Sequence, residues 1–97
     1  MNLYQQNIKK LESRGVDPKV YYLDKLAEEC LELHVECERL LNKKHMLEDY
    51  GDMEEFNGEF ADVINCIIYI IILFFKSKWS MIKSEMKFKL NRALERD

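Results

Sequence analysis

Two pairs of acidic residues have the spacing and position to bind a cation. Glu29 and Glu32 are three residues apart, and so are Glu59 and Asp62. This spacing places both members of a pair on one helix face, a turn apart. The second pair leads directly into an apolar run, where carboxylates are costly unless they are protonated, paired or bound to a cation. Four oxygen donors from two helices suit a hard divalent ion such as Mg²⁺.

The first pair also has a purely structural interpretation. Glu29 and Glu32 are typical of a solvated helix face, with Lys25 four residues before Glu29. Taken alone, this pair favours that interpretation. The two pairs together favour a metal site.

The cysteines indicate the compartment and raise the question of a softer metal. Cys30, Cys37 and Cys66 form no CxxC motif, and no signal peptide is recognised. Reduced, buried thiols in a cytoplasmic protein are the expectation. Cys30, His34 and Cys37 share a helix face, but they lack a second ligand pair at zinc-site spacing, and leucines occupy the same face. We therefore favour core positions over a zinc site.

The composition limits the partners. The formal charge of −3 argues against a general nucleic-acid binder, which needs a basic face for phosphates. Basic residues nevertheless outnumber acidic ones after residue 75, so an anion is expected near that segment. Apolar residues make up 47% of the chain, whereas one proline and three glycines leave little material for turns. Long helices with few loops follow.

The apolar run itself predicts an assembly. Val63–Phe75 has 13 residues and would span about 20 Å as a helix, short of the roughly 30 Å hydrocarbon core of a membrane. A helix that is apolar on all sides is either central or covered by a partner subunit. So small a domain has difficulty covering it. We therefore predict no membrane span and a homodimer or a dimer of dimers.

The helical periodicity predicts a single all-α domain over residues 1–97, with four antiparallel helices and short links. The second helix begins with Asp17 as N-cap and Pro18 at its first position. Ser80 is the expected N-cap of the fourth helix. The predicted bounds of the first three are Asn2–Arg14, Pro18 to about Lys44, and Asp52–Glu54 to Phe75. The connection between the second and third is expected at His45–Met53. The core faces are expected to contain Leu3, Ile8 and Leu11 in the first helix, and Leu23, Leu26, Ala27, Cys30, Leu33, Cys37, Leu40 and Leu41 in the second.

Three motifs in this order resemble a known family. The first two are Lys25-Leu-Ala-Glu28-Glu29-Cys-Leu-Glu32-Leu33 and Glu59-Phe-Ala-Asp62-Val63, separated by 26 residues between Glu32 and Glu59. The third is Lys87-Phe-Lys-Leu-Asn91-Arg92. Together they resemble the ExxE, ExxD and K-x-x-x-N-R elements of the all-α nucleotide pyrophosphohydrolases, which include MazG-like enzymes, dCTP pyrophosphatases and dimeric dUTPases.

The resemblance implies a fold and an activity. It implies a MazG-like helical bundle completed by dimerisation and a hydrolase that cleaves the α–β phosphate bond of a (deoxy)nucleoside triphosphate. The products would be the monophosphate and pyrophosphate, a reaction suited to nucleotide-pool housekeeping. Mg²⁺ would be the cofactor, with Mn²⁺ as a substitute.

The resemblance also implies roles for individual residues. The metal ligands would be Glu29, Glu32, Glu59 and Asp62. Glu28 or Glu29 would act as general base. The substrate phosphates would be held by Lys87, Asn91 and Arg92, although basic residues are also ordinary at the end of a solvated helix.

Two departures from the family and one competing function remain. Ala93 and Leu94 stand where relatives commonly have further arginines and a proline, and Ile67–Phe75 is more apolar than the usual third helix. The competing function is a non-enzymatic helical dimerisation or interaction module. It would use the same apolar helices, but it leaves the placement of the acids and of the basic tail unexplained.

Overall fold

The regular elements of the described residues are all α-helices. The computed structural model describes residues 2–42, 53–75 and 78–96. Within these ranges there are four helices and no strand, which confirms the all-α class. The helices are α1 Leu3–Ser13, α2 Pro18–Asn42, α3 Glu54–Phe74 and α4 Trp79–Arg96. The expected α2–α3 connection before Met53, with the helix ends expected at Lys44 and Asp52, lies outside the described residues.

Helix α1 has a cap at each end. The side chain of Asn2 accepts a hydrogen bond from the backbone N–H of Gln5, and the side-chain oxygen of Gln5 accepts one from the backbone N–H of Asn2. At the other end Gly15 has a φ of +73°, which is favourable for glycine. The N–H groups of Gly15 and Val16 donate to two carbonyls of the last turn, forming a Schellman motif. The chain therefore turns sharply into α2.

The starts of α2 and α4 differ in how well the sequence predicts them. The Asp17 carboxylate accepts a hydrogen bond from the Lys19 N–H at 3.0 Å, as expected of an N-cap. The expectation that Ser80 is the N-cap is wrong by two residues, because α4 begins at Trp79 and the position before it is Lys78. A bond from the Met81 N–H to the Lys78 carbonyl starts the helical turn earlier.

Helices α2 and α3 pack antiparallel along a shared line of side chains, which we call the seam. Tyr22 stacks on Tyr69 at 3.8 Å between ring centroids near one end, and Arg39 lies 3.9 Å from Glu55 near the other. The buried and half-buried positions alternate in steps of three and four, as in a coiled coil. The seam positions are Tyr22, Leu26, Glu29, Leu33, Glu36 and Leu40 on α2, and Phe56, Glu59, Val63, Cys66, Tyr69, Ile70 and Leu73 on α3.

The predicted core faces are partly wrong. Leu3 is 74% exposed, because in the first turn of α1 its neighbour Tyr4 is the residue that packs against the core. On α2 the predicted face is rotated too far around the helix. Counting only apolar residues excluded Glu29 and Glu36, which lie in the seam. The predicted residues that are exposed instead are Leu23, Ala27, Cys30 and Leu41.

Helix α1 packs over the aromatic end of the seam. Ile8 is buried with Tyr22 and Tyr69. The Tyr4 hydroxyl donates to the Asn65 side-chain oxygen at 2.7 Å, and the Asn7 amide donates to the Tyr69 hydroxyl at 2.7 Å. The second bond satisfies the hydroxyl group of the buried Tyr69, which would be costly to leave without a partner.

Helix α4 contacts the other helices through its first two turns and leaves much apolar surface open. Trp79 and Ile82 border an apolar cavity of about 270 Å³ together with α2 and α3. Farther along α4, Phe88, Leu90 and Leu94 are exposed. The radius of gyration is 16.9 Å, above the roughly 13 Å of a compact domain of this size.

Helix α3 is longer than its apolar run. Its 21 residues, Glu54–Phe74, are long and apolar enough to cross a membrane by length and composition alone. The core helix of a water-soluble protein meets the same criterion. The expectation of no membrane span rests only on the length of Val63–Phe75 compared with the thickness of a membrane. That length is therefore no argument against a membrane span for the whole helix. Glu59 and Asp62 lie in its first half, where membrane burial would be costly.

Candidate metal centre

The predicted acidic pairs face each other across the seam. Tyr22 and Glu29 are seven residues apart on α2, as are Asp62 and Tyr69 on α3. Seven residues are almost two complete helical turns, so each pair shares one side of its helix. Because the helices are antiparallel, the stacking of Tyr22 on Tyr69 places Glu29 beside Asp62. The same geometry places Glu32 beside Glu59.

Three of these side chains converge as ligands of one cation would. Glu29, Glu59 and Asp62 each offer a carboxylate oxygen, and these atoms all lie within 4.8 Å of one another. A cation with oxygen ligands at about 2.1–2.6 Å holds its ligand atoms at most about 5 Å apart. In the part of the chain that the structure describes, this is the one such group of three or more His, Cys, Asp or Glu side chains.

Glu32 adjoins the three ligands and completes what we call the acidic cluster. A hydrogen bond with Glu32, together with burial and the charges of Glu32, Glu29 and Asp62, raises the pKa of Glu59 to about 7. A hydrogen bond between two carboxyl groups requires a proton on one of them. Glu59 therefore holds a proton near neutral pH when no cation neutralises the cluster.

Two oxygens of the acidic cluster lack a hydrogen-bond partner. They are Glu29 Oε2 and Glu59 Oε2, and both are inaccessible to solvent. Burial, followed by the hydrogen bond and charge of Glu32, raises the pKa of Glu29. Buried polar atoms without partners are uncommon and costly. A hard cation would satisfy both oxygens and the excess negative charge, so these residues fit a divalent metal ion.

The surroundings of the cluster are partly apolar. Cys66 is buried beside it, and burial, followed by the charges of Glu29 and Asp62, raises the pKa of its thiol. On the other side Lys25 lies 3.9 Å from Glu28, and that carboxylate is the main cause of the raised pKa of Lys25. The cluster thus has a low-dielectric wall on one side and a cation near its rim.

Several predicted site residues lie apart from the cluster. Glu28 is exposed and faces Lys25 rather than the other acids. The predicted phosphate-binding residues lie on exposed parts of α4, and within the described ranges no ion pair joins them to the acidic cluster. They are Lys87, Asn91 and Arg92.

The residues weighed for zinc do not form a site in the described parts. Cys30 is exposed and Cys37 is half-buried. His34 is exposed and lies 3.5 Å from Glu38. None of the three belongs to the group of converging ligand atoms.

The sequence interpretation missed the polar and aromatic network beside the cluster. Tyr69 stacks on Tyr22 and its hydroxyl accepts a hydrogen bond from the Asn7 amide. The two tyrosines lie one heptad from the acids. The seven-residue spacing of tyrosine and acid on both helices is the sequence signal that indicates it.

No family model matches the sequence, and no curated protein or solved structure is significantly similar to the chain. The likeness to all-α nucleotide pyrophosphohydrolases depends on the three motifs alone, and the activity it implies is a proposal.

Proposed function

We propose that this protein is a Mg²⁺-dependent nucleoside triphosphate pyrophosphohydrolase. The observation that carries the proposal is the convergence of Glu29, Glu59 and Asp62 on one point, with two buried oxygens that have no partner. A nucleoside triphosphate is highly anionic, so bare carboxylates would repel it. Cleavage would fall between the α- and β-phosphates, giving the monophosphate and pyrophosphate.

The acidic cluster would hold the metal, with Mn²⁺ as a substitute for Mg²⁺. Glu29, Glu59 and Asp62 supply the converging oxygens, and Glu32 lies within hydrogen-bonding reach as a fourth ligand. The bound ion would lower the pKa of a water molecule and stabilise charge on the phosphates. The ligands must be deprotonated to bind it, so the metal and the proton on Glu59 compete.

The geometry favours one of the two general-base candidates. The Glu29 carboxylate lies within the cluster that would hold the ion and its water. Glu28 is exposed and lies beside Lys25 instead. Glu29 is therefore the better candidate for taking the proton of the attacking water.

The basic tail would act on the phosphates only from a different position. Lys87, Asn91 and Arg92 are exposed on α4, and a partner subunit offers one way to bring them to the acids. Lys87→Ala should then weaken nucleotide binding while metal binding persists. If this variant binds the nucleotide as tightly as the wild-type protein does, the basic tail is not part of the substrate site.

Assembly follows from the open apolar surface. Leu31 and Val35 on α2 are 69% and 62% exposed. In the described residues no side chain reaches less than 2% exposure, so the core is thin. A homodimer or a dimer of dimers would cover these faces.

One experiment tests activity and substrate together. A panel of ordinary and modified nucleoside triphosphates is incubated with Mg²⁺, and pyrophosphate and monophosphate are measured. We expect both products in equal amounts from the preferred nucleotide and none after chelation of the metal. Release of inorganic phosphate, or no release from any nucleotide, would contradict the proposal.

A second candidate function is a non-enzymatic helical dimerisation or interaction module. The exposed apolar residues of α2 and α4 favour it. Melting curves with and without Mg²⁺ and a non-hydrolysable nucleotide separate the two candidates, because a ligand that binds only the native state raises the midpoint. No shift at saturating ligand would favour the module.

A further inference from the structure

A small polar cavity lies between α1 and the start of α2, outside the acidic cluster. Its volume is about 270 Å³. Ligand sites for whole drug-sized molecules are typically about 300–1,000 Å³, so this cavity suits a smaller group. It is lined by Asn7, Lys10, Leu11, Arg14, Tyr21 and Tyr22.

The charge around the cavity is only positive. Lys10 and Arg14 are four residues apart on one face of α1, with Asn7 a turn earlier. Among the described residues neither cation takes part in an ion pair, and no carboxylate lines the cavity. Like charges at this spacing repel each other. The helix dipole stabilises Lys10 in the last turn, but it provides no counter-ion.

The floor of the cavity is held rigidly. Tyr22 is buried, stacks on Tyr69 and meets the edge of Tyr21 at 4.9 Å between centroids. The Asn7 side-chain nitrogen donates to the Tyr69 hydroxyl at 2.7 Å, which fixes the amide, and Tyr21 also lines the cavity. Two cations beside a fixed floor, with the Tyr21 hydroxyl able to donate, are a pre-organised arrangement for an anion.

We propose that this cavity binds the phosphoryl group of a small phosphate compound. A lysine and an arginine together match the charge of a phosphate dianion, and the guanidinium donates two parallel hydrogen bonds to its oxygens. The volume is sufficient for a phosphate or diphosphate. The site shares no residue with the acidic cluster, so the proposal goes beyond the pyrophosphohydrolase function and does not depend on it.

Two sources of the phosphoryl group fit the position. Tyr22 of the cavity and Glu29 of the acidic cluster lie on one side of α2, about 10 Å apart along its axis. The group is therefore either the far end of a nucleotide whose other phosphate lies at the acids, or part of a separate metabolite.

Calorimetric titration with inorganic pyrophosphate, in excess EDTA, tests the site itself. The chelator removes any cation that would bind pyrophosphate to the acids. Lys10→Gln/Arg14→Gln is compared with Lys9→Gln/Lys83→Gln, which removes the same charge at exposed positions outside the cavity. We expect saturable wild-type binding, at least about tenfold weaker in the cavity variant and unchanged in the control.

Amide chemical shifts of the wild-type protein locate the bound anion independently of the variants. Changes confined to residues 7–14 and 21–22 support the proposal even if the double variant loses its fold. No saturable binding, equal weakening in the control variant, or shift changes centred on α4 would overturn it.

A competition experiment then separates the two sources. The amide shifts of residues 7–14 and 21–22 report pyrophosphate in the cavity alone. A non-hydrolysable triphosphate with Mg²⁺ that displaces it from the cavity of the wild type, but not from that of Asp62→Asn, shows that the phosphoryl group belongs to the nucleotide. Pyrophosphate that remains bound beside the nucleotide identifies a separate ligand. Both results support the cavity as a phosphoryl site.

Discussion

At the residue scale the main property of this protein is a set of carboxyl groups that cannot all be ionised together. Glu59 has a pKa of about 7 because it shares a hydrogen bond with Glu32 inside a partly buried, negatively charged environment. Glu29 is shifted in the same direction. A proton and a divalent cation are alternative ways of neutralising this cluster, and each excludes the other.

The first prediction concerns the metal-free protein and pH. The folded-state pKa of Glu59 lies above its ordinary value of 4.5, so between these values the native state binds more protons than the unfolded state. The stabilising contribution of protonated Glu59 is complete below about pH 4.5 and is lost as the pH rises through about 7. Denaturation midpoints measured in EDTA should therefore fall over this interval.

Two controls make that measurement specific. Glu59→Gln carries a neutral side chain at every pH and should reduce the fall. Saturating Mg²⁺ should restore stability above pH 7, where the ligands are deprotonated. A rise in stability between pH 5 and 7 would contradict the assignment.

The second prediction concerns the ligands. Glu32→Gln and Asp62→Asn keep side-chain volume but remove ligand charge, so each should lower turnover by at least about 100-fold while the helical spectrum is retained. Glu28→Gln removes the same charge on the exposed side of α2 and should leave Mn²⁺ affinity nearly unchanged. If the first two variants retain turnover, Glu32 and Asp62 are not ligands of the metal.

At the element scale the sequence predicts helix identity better than helix orientation. Asn2, Asp17 and Gly15 carry local signals, and the helix ends they predict are observed within one residue. The side of α2 that faces α3 is a tertiary property. It was misjudged because the seam includes Glu29 and Glu36, which an apolar pattern leaves out. The pairing of the acids was predictable from their spacing, whereas the stacking of Tyr22 on Tyr69 required the alignment of two helices.

The third prediction compares the starts of α2 and α4. Asp17→Ala removes the acceptor for the Lys19 N–H and should cost about 1 kcal/mol of unfolding free energy. Ser80→Ala should cost much less, because Ser80 lies inside the first turn of α4 rather than at its cap. Chemical denaturation of both variants tests this, and equal losses would show that Ser80 caps the helix after all.

At the scale of the whole molecule, the chain is less compact than a typical domain of its length and exposes many of its apolar residues. The radius of gyration of 16.9 Å exceeds the value of about 13 Å for a compact domain. The core consists mainly of the seam and the Ile8, Tyr22 and Tyr69 group. So little burial gives a marginal monomer, and association would supply the missing apolar contacts.

The fourth prediction concerns this association. The wild-type protein should have a mass of at least twice the single-chain 11.7 kDa by light scattering. Val35→Glu places a charge on the exposed face of α2 and should shift the population towards monomer. Leu3→Glu is an equally exposed substitution on α1 and should leave the mass unchanged. A wild-type monomer at micromolar concentration would refute the assembly.

The acids in the seam also determine how α2 and α3 align. If α3 slipped by one heptad, Tyr69 would lie opposite Glu29, and Glu32 would face Cys66. Glu29 and Glu32 would then lie beside an aromatic ring and a thiol, without a shared proton or cation to neutralise them. The same slip would place Glu59 opposite Arg39 and Asp62 opposite Glu36, so the ligand oxygens would no longer converge. Most apolar seam residues tolerate such a slip, since leucine, isoleucine and valine pack on one another in many combinations. The charged positions thus select one register of the helix pair, and cation binding makes that choice stronger because only the aligned pair brings its ligands together.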